Sequence, residues 1–396
     1  MERGLYDERA YDAESRERAG LSRRRLLQAG GASLAALSLG SVGASPARAA
    51  DGPIVKPTPA DLFIPRGTNA EMRWEAMRGQ DYLTPTDRFF VRNHTGTPLI
   101  DLDTWRLRIH GSGVRRELSL SYGDLLRLPS VTLTRFVECA GNGRSLFDTQ
   151  QGQAAAGTQW GLGAVGVARW TGVRLSSVLE RAEPTPSALD VMPAGLDSMA
   201  VRRPMPLEKA LADDTLLVYG MNGKALPPDH GFPVRVLLPG WVGVSNVKWV
   251  GSIEVSEEPL YSQWNTTSYR MFGPAYPDTP LVTSQVVKSA LELPFPATVR
   301  PGRQLLTGRS WSAYGRITRV EVSIDGGAWH AADLDHRNEP AAWRQWSTSW
   351  VAKPGSHAVR VRARDDRGHV QPDSVPYNEQ GYLFGAVVSH PVTVAP

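Results

Sequence analysis

The sequence is first informative for what it is short of. Among 396 residues there is a single cysteine, Cys139. That excludes an internal disulfide, and it excludes a c-type haem attached through Cys-x-x-Cys-His. Neither common glycine-rich phosphate loop is present. No stretch is long and apolar enough to span a bilayer, so stable membrane insertion is not expected. Charge of one sign is lacking too: 44 basic residues face 40 acidic ones. Eight arginines against six acids leave the first 50 residues at +2, so half of the formal +4 belongs to that segment. The remainder gives no case for binding nucleic acid. There is no internal repeat and no low-complexity tract.

What is present begins with an address. Ser22-Arg23-Arg24-Arg25-Leu26-Leu27 precedes a mildly apolar stretch from Ala29 to Val42, and Ala47-Arg48-Ala49 supplies small residues for cleavage. In this order the elements read as a twin-arginine export signal over residues 1–50, with a periplasmic destination. Twin-arginine export carries folded proteins, often with a cofactor already installed. Glycine (38), proline (30) and tryptophan (12) are plentiful, which points to a fold rich in strands and loops rather than a helical bundle.

The lone cysteine lies in Arg135-Phe136-Val137-Glu138-Cys139-Ala140-Gly141-Asn142-Gly143-Arg144. The apolar residues before it read as a buried strand. Gly141-Asn142-Gly143 reads as a tight turn, because Gly and Asn tolerate positive φ. Cys139 is therefore expected where a strand gives way to a loop. Flanking arginines favour the thiolate, the form that attacks or binds metal. An inert core cysteine, a nucleophile and a metal ligand all remain open from this stretch alone.

Residues 51–88 read as an extended lead-in, Phe89–His94 as the end of an apolar strand and Trp105–His110 as a strand. Ser121 caps a short helix that stops before Pro129. Helices are expected over Leu175–Arg181 and Leu207–Leu211. Leu216–Tyr219 and Val234–Leu238 read as strands, with a hairpin-type turn at Met221-Asn222-Gly223-Lys224. Val247–Val250 and Ile253–Val255 are expected to continue the same sheet. Beyond residue 275 a series of prolines reads as a linker. Alternation at Val320, Val322 and Ile324, and at Val359, Val361 and Ala363, then predicts an immunoglobulin-like sandwich.

Several polar residues stand out before the linker. Arg92-Asn93-His94 closes one apolar segment. Asp229-His230 and Arg235 flank another. Lys248 sits among apolar neighbours, where an ammonium needs an anion or must reach for water. Cations and one thiol on one domain suggest an anionic cofactor or substrate.

Taken together, Phe90-Val91-Arg92-Asn93-His94, Glu138-Cys139-Ala140-Gly141-Asn142, Ala168–Gly172, Asp229–Val236 and Val247-Lys248-Trp249 resemble the blocks of the sulfite oxidase family of molybdenum enzymes, in the family's order. The resemblance implies an α+β fold: a molybdopterin-binding catalytic domain over 51–275, then an all-β immunoglobulin-like dimerisation domain over 276–396. It implies a molybdenum–molybdopterin cofactor with Cys139 as the one protein ligand to the metal, a soft thiolate suited to it. Phe90, Arg92, Asn93, His94, Asp197, His230, Arg235, Asn246, Val247 and Lys248 would hold the pterin and its phosphate. Arg92, Arg144, Trp160 and Tyr269 match substrate-pocket positions. Implied with them are oxidation of sulfite or a related sulfur anion by oxygen-atom transfer, a separate c-type cytochrome as electron acceptor and a homodimer.

Two departures reduce the positive charge expected at the pocket. Gly143 stands where animal members carry an arginine, and Gln380 stands where they place another. This leaves room for a larger or less charged sulfur compound. Competing readings are a molybdenum-dependent sulfoxide reductase, a cysteine hydrolase using Cys139 with His94 or His230, and an exported binding protein without catalysis.

Overall fold

A computed structural model describes residues 54–395 of the chain. The expected export signal lies outside them. The lead-in is more structured than its composition suggests. β1 (Phe63–Pro65) and β2 (Ala70–Met72) pair antiparallel, and a 3-10 turn follows at Trp74–Met77.

The chain then runs through β3 (Leu107–His110), β4 (Leu118–Leu120), α1 (Tyr122–Leu126), β5 (Ser130–Glu138) and α2 (Arg144–Gln151). It continues with β6 (Val165–Arg174), α3 (Leu175–Ala182), β7 (Asp190–Gly195), β8 (Met205–Pro206) and α4 (Leu207–Leu211). β9 (Leu216–Met221), β10 (Lys224–Ala225), β11 (Arg235–Leu237), β12 (Val250–Ser256) and α5 (Gln263–Thr266) complete this half. Helix α1 starts where expected. Ser121 accepts from the Asp124 amide and Asp124 reaches back to the Ser121 amide, a reciprocal cap. The Met221–Lys224 turn closes through Asn222 and Gly223, both at positive φ, the conformation a two-residue hairpin requires.

These strands form two sheets, not one. The first runs β10-β9-β6-β5, with β11 also paired to β9. The second runs β4-β3-β12-β7-β8, with β12 parallel to β3 and antiparallel to β7. The expectation that Val247–Val250 continues the first sheet fails at Trp249, whose φ of 54° turns the chain out of line. Lys248 lies in the bend before β12 rather than within a strand. Phe89–His94 is likewise irregular, its strand pairing reduced to one bridge between Val91 and Ala70.

The carboxy-terminal half is a sandwich of two sheets. One contains β13 (Lys288–Leu291), β15 (Gly302–Trp311), β18 (Asp333–Leu334) and β19 (Trp343–Ala352); the other contains β14 (Ala297–Val299), β16 (Ile317–Ile324), β17 (His330–Ala331), β20 (Gly355–Asp365) and β21 (Ser389–Val394). The expected alternation holds: Val320, Val322, Val359, Val361 and Ala363 face Leu306 and Trp346 in its core.

The two halves share a core. Trp311 and Trp343 of the sandwich pack with Trp74, Phe136 and Trp170. The proline-rich segment after residue 275 runs along the first half, where Val282 bonds Tyr269 and Gln285 bonds Gly240 through their backbones. Arg309 is fully buried. It bonds Glu292 at 2.8 Å and donates to the carbonyls of Gln80, Asp81 and Tyr82. Removing one partner of such a pair leaves the other charge stranded. Arg309→Met should therefore cost about 3–5 kcal/mol, read as a lowered urea midpoint. A midpoint unchanged from the parent would show that Arg309 does not join the halves.

Candidate active site

β5 ends at Glu138, and Cys139 is the first residue beyond it. The Cys139 amide donates to Ala164 O at 2.9 Å, and its carbonyl accepts from the Asn142 amide at 2.9 Å. Gly143, at φ 93°, reverses the chain into α2. The expected strand-to-turn placement of the thiol is thus observed. Gly243 passes close above it: a Cβ there would lie 2.9 Å from Glu138 O and 3.4 Å from the Cys139 Cα.

Cys139 lines a cleft. Of the residues singled out in the sequence, Phe90, Arg92, Asn93, His94, Asp197, His230, Arg235, Asn246, Val247, Lys248 and Tyr269 line it as well. Two do not. Trp160 is fully buried behind Phe90, edge-on at 6.4 Å. Arg144 is drawn away by carbonyls: its Nε donates to Gln380 O and its Nη1 to Thr158 O, each at 2.9 Å. Its guanidinium lies over the Tyr382 ring. The Gln380 side chain also turns away, donating to Thr267 O.

The cleft is lined by cations, of which Arg235 is buried and Arg92 and Lys248 are half-buried. Arg235 spans His230 O and Asn246 O at 3.1 and 3.2 Å and stacks over Trp170. Its Nε has no partner. Burial pulls its pKa down to about 9. Lys248 donates to Asp229 O at 2.8 Å and to Asn93 Oδ1, and burial lowers it well below an ordinary lysine. His230 is held neutral first by burial, then by Lys56, Lys248 and Arg235. Asp197 and Asp229 are the carboxylates lining the cleft. Asp229 is already engaged by the amides of Val55 and Lys56 and by the Thr97 hydroxyl.

His94 stands between Arg92 and Tyr269: Arg92 Nη2 lies 2.9 Å from its Nδ1 and 3.5 Å from its Nε2, and Nε2 lies 3.4 Å from Tyr269 Oη. Burial, with Arg92 and Lys248 beside it, pulls the His94 pKa down to about 2. The ring is neutral at physiological pH and links Arg92 to Tyr269. Burial raises the Tyr269 phenol well above its ordinary value, so it stays protonated.

Asp229 and Trp249, both inside the recognised blocks, line the cleft as well. Sequence reading missed Lys56, which has no local signal. Its ammonium donates to Thr86 O and Phe89 O and lies 3.5 Å from His230 Nε2. Among the described residues, no three His, Cys, Asp or Glu side chains converge as a metal-binding group. A metal at Cys139 would need ligands from outside the chain.

A family model described as the oxidoreductase molybdopterin binding domain matches residues 94–264, and one described as the Mo-co oxidoreductase dimerisation domain matches 282–390. Mitochondrial sulfite oxidase of Macaca fascicularis is 37% identical over 373 residues, covering 88% of this chain and 68% of that one. Sulfite oxidase of Gallus gallus is 37% identical, covering 80% and 74%. The chain belongs to the sulfite oxidase family. This member spans about two thirds of the mitochondrial relative's length. Its fold also matches the sulfane dehydrogenase SoxCD of Paracoccus pantotrophus, with a TM-score of 0.74 and 29% identity over 84% of this chain and 88% of that one. As a family member it is a molybdopterin oxidoreductase, and the expected two-part architecture stands.

The site's electrostatics set a pH dependence. Burial lowers Lys56 to about 7 from its ordinary 10.5. Between those values the unfolded chain holds a proton that the folded chain has lost, so stability rises with pH across this window. Thermal melts of the cofactor-free chain from pH 7 to 9.5 should show that rise. Lys56→Met should flatten it, and a slope unchanged in that variant would remove Lys56 as its source.

Proposed function

We propose that this protein oxidises a small sulfur-containing anion at a molybdenum–molybdopterin centre and hands the electrons singly to a separate c-type cytochrome. The observation that carries the reading is the cleft itself: the chain's one thiol shares its lining with buried Arg235 and with half-buried Lys248 and Arg92. Burying cations in this way is costly unless an anion meets them. The unpartnered Arg235 Nε is a donor awaiting such an anion. A phosphate-bearing group beside a soft thiolate suits this donor set.

His230, Arg235 and Lys248 would hold the phosphate, with Asn93, Asp197 and the backbone around Phe90, Asn246 and Val247 around the pterin. Cys139 would ligate the metal. When bound, the cofactor supplies the two-electron, oxygen-transfer chemistry. The chain's residues bind and orient. Arg92 neutralises the substrate anion. Neutral His94 stands between the Arg92 guanidinium and the Tyr269 hydroxyl and orients both. Tyr269, protonated, offers a hydrogen bond or a proton at the reacting side. The sulfite oxidases and the sulfane dehydrogenase it resembles support a sulfur anion as substrate. The carboxy-terminal match supports a homodimer and favours sulfur oxidation over sulfoxide reduction. The amino-terminal arginines support periplasmic export with the cofactor installed.

The test combines elemental analysis of protein made in cells that build the pterin with cytochrome c reduction over a panel of sulfite, thiosulfate and sulfane donors. Molybdenum near one per chain and turnover with at least one donor are expected; metal-free protein would end the proposal. Cys139→Ser should abolish turnover. Arg92→Ala removes one charge-assisted contact, worth about 1.5–3 kcal/mol. It should raise KM by roughly 10- to 100-fold while leaving molybdenum content intact. An unchanged KM would take Arg92 out of the substrate pocket.

A further inference from the structure

We infer that the sandwich half, besides the dimer contact its family model is named for, clamps the Cys139 turn and sets the position of the thiol. The donors come from the segment that leads into that half and from three places within it. Gln285 Nε2 donates to Glu138 O at 3.0 Å. The Leu383 amide donates to Ala140 O at 2.9 Å. Lys288 Nζ donates to Asn142 O at 2.9 Å and to Glu138 Oε1 at 2.7 Å. Trp311 Nε1 takes the other carboxylate oxygen at 2.8 Å. The carbonyls of the residue before Cys139, the residue after it and the next but one thus all end on donors from beyond residue 282. Phe384 closes against Gly143, where a Cβ would come within 3.0 Å of its own.

None of these groups is open to water: Glu138, Asn142, Gln285 and Trp311 are fully buried and Lys288 is 1% exposed. The first half holds the same turn from the other side, through Ala164 and Gly161. An apolar pair would join two domains more cheaply than a buried ion pair. The ion pair adds direction: the carboxylate has both oxygens engaged, one residue before the thiol, and Lys288 cancels its charge there. Lys288, Gln285 and Trp311 are positioning residues. They act on the thiol through the backbone it hangs from.

The consequence for metal binding rests on Cys139 as the metal's ligand; the clamp itself is tested on the thiol. Cys139 is the chain's one cysteine, so alkylation reports on it alone. The full chain is made without cofactor, and iodoacetamide labelling is followed by mass spectrometry for the parent, Gln285→Met, the double variant Glu138→Gln/Lys288→Met, and Leu306→Ala. The first two variants loosen the turn without stranding a buried charge. Leu306→Ala weakens the sandwich core away from the turn. Loss of the Gln285 bond should speed labelling about fivefold, as expected for one hydrogen bond, and the double variant should speed it about tenfold or more. Both should retain less molybdenum when made with cofactor, while circular dichroism stays that of the parent. Leu306→Ala should label at the parent's rate. The clamp is overturned if Gln285→Met and the double variant label within twofold of the parent, or if Leu306→Ala labels as fast as they do. A parent that stays metal-free when made with cofactor would defeat the ligand assignment, while the labelling series would still decide the clamp.

Discussion

Burial of positive charge is the constraint from which the site follows. Arg235 and Lys248 are withdrawn from water along one wall of a cleft, where solvation cannot compensate them. Arg235 shares its donors with carbonyls, which carry only partial charge. Asp229 could neutralise a neighbour, but its oxygens already hold the lead-in at Val55 and Lys56 and the Thr97 hydroxyl. The chain has assembled a receptor whose stability without a guest is reduced by its own design. The lowered pKa values of Lys56, His94, His230, Arg235 and Lys248 express that one condition. An anionic group lodged in the cleft would relieve all of them together.

The second constraint is mechanical. A single thiolate ligand gives the protein one bond with which to fix a metal, so the backbone carrying that bond must itself be fixed. β5 delivers Cys139 in register with β6, as far as the Glu138–Val165 pair. The turn then leaves the ladder and is held by hydrogen bonds from both halves. This is why the aromatic core runs unbroken from Trp74 and Trp170 to Trp311 and Trp343. Two independent domains joined by a slack linker would let the turn move with every fluctuation between them. The prolines after residue 275 mark irregular chain, but its backbone is tied to Gly240 and Tyr269.

Much of this was legible in the residues, for identifiable reasons. Local chemistry carries local structure: the Ser121 cap, the Asn222-Gly223 turn, the alternating sandwich strands and the exit of β5 into Gly141-Asn142-Gly143 all appear as read. Assembly across sequence distance was less legible. The division into two sheets depends on Trp249 adopting a left-handed backbone, which nothing about tryptophan suggests. Lys56 reaches His230 across 174 residues, and Lys288 reaches Glu138 across 150. Neither shows any local pattern. Arg144 matches a substrate-pocket position only through the family resemblance, and the carbonyls of Gln380 and Thr158 that its Nε and Nη1 reach show no local pattern.

That diversion bears on what the pocket selects. Arg144 is boxed by glycines: a Cβ at Gly141, Gly157 or Gly381 would lie within 2.9 Å of its side chain. It is fixed in place with two donors spent on carbonyls. Its charge still contributes to the local potential. Beside it, Tyr382 stacks on Tyr269 at 5.1 Å, nearly parallel, presenting an aromatic face where a second guanidinium would have strengthened the field. Gln380 adds no charge. The proposed substrate therefore meets one guanidinium, Arg92, held by a neutral histidine and flanked by phenols. A compact dianion gains most from clustered cations, whereas a sulfur compound with a single anionic end and a polarisable body loses little by their absence. Under the proposed function, the glycines that let Arg144 fold back would favour the second kind of molecule.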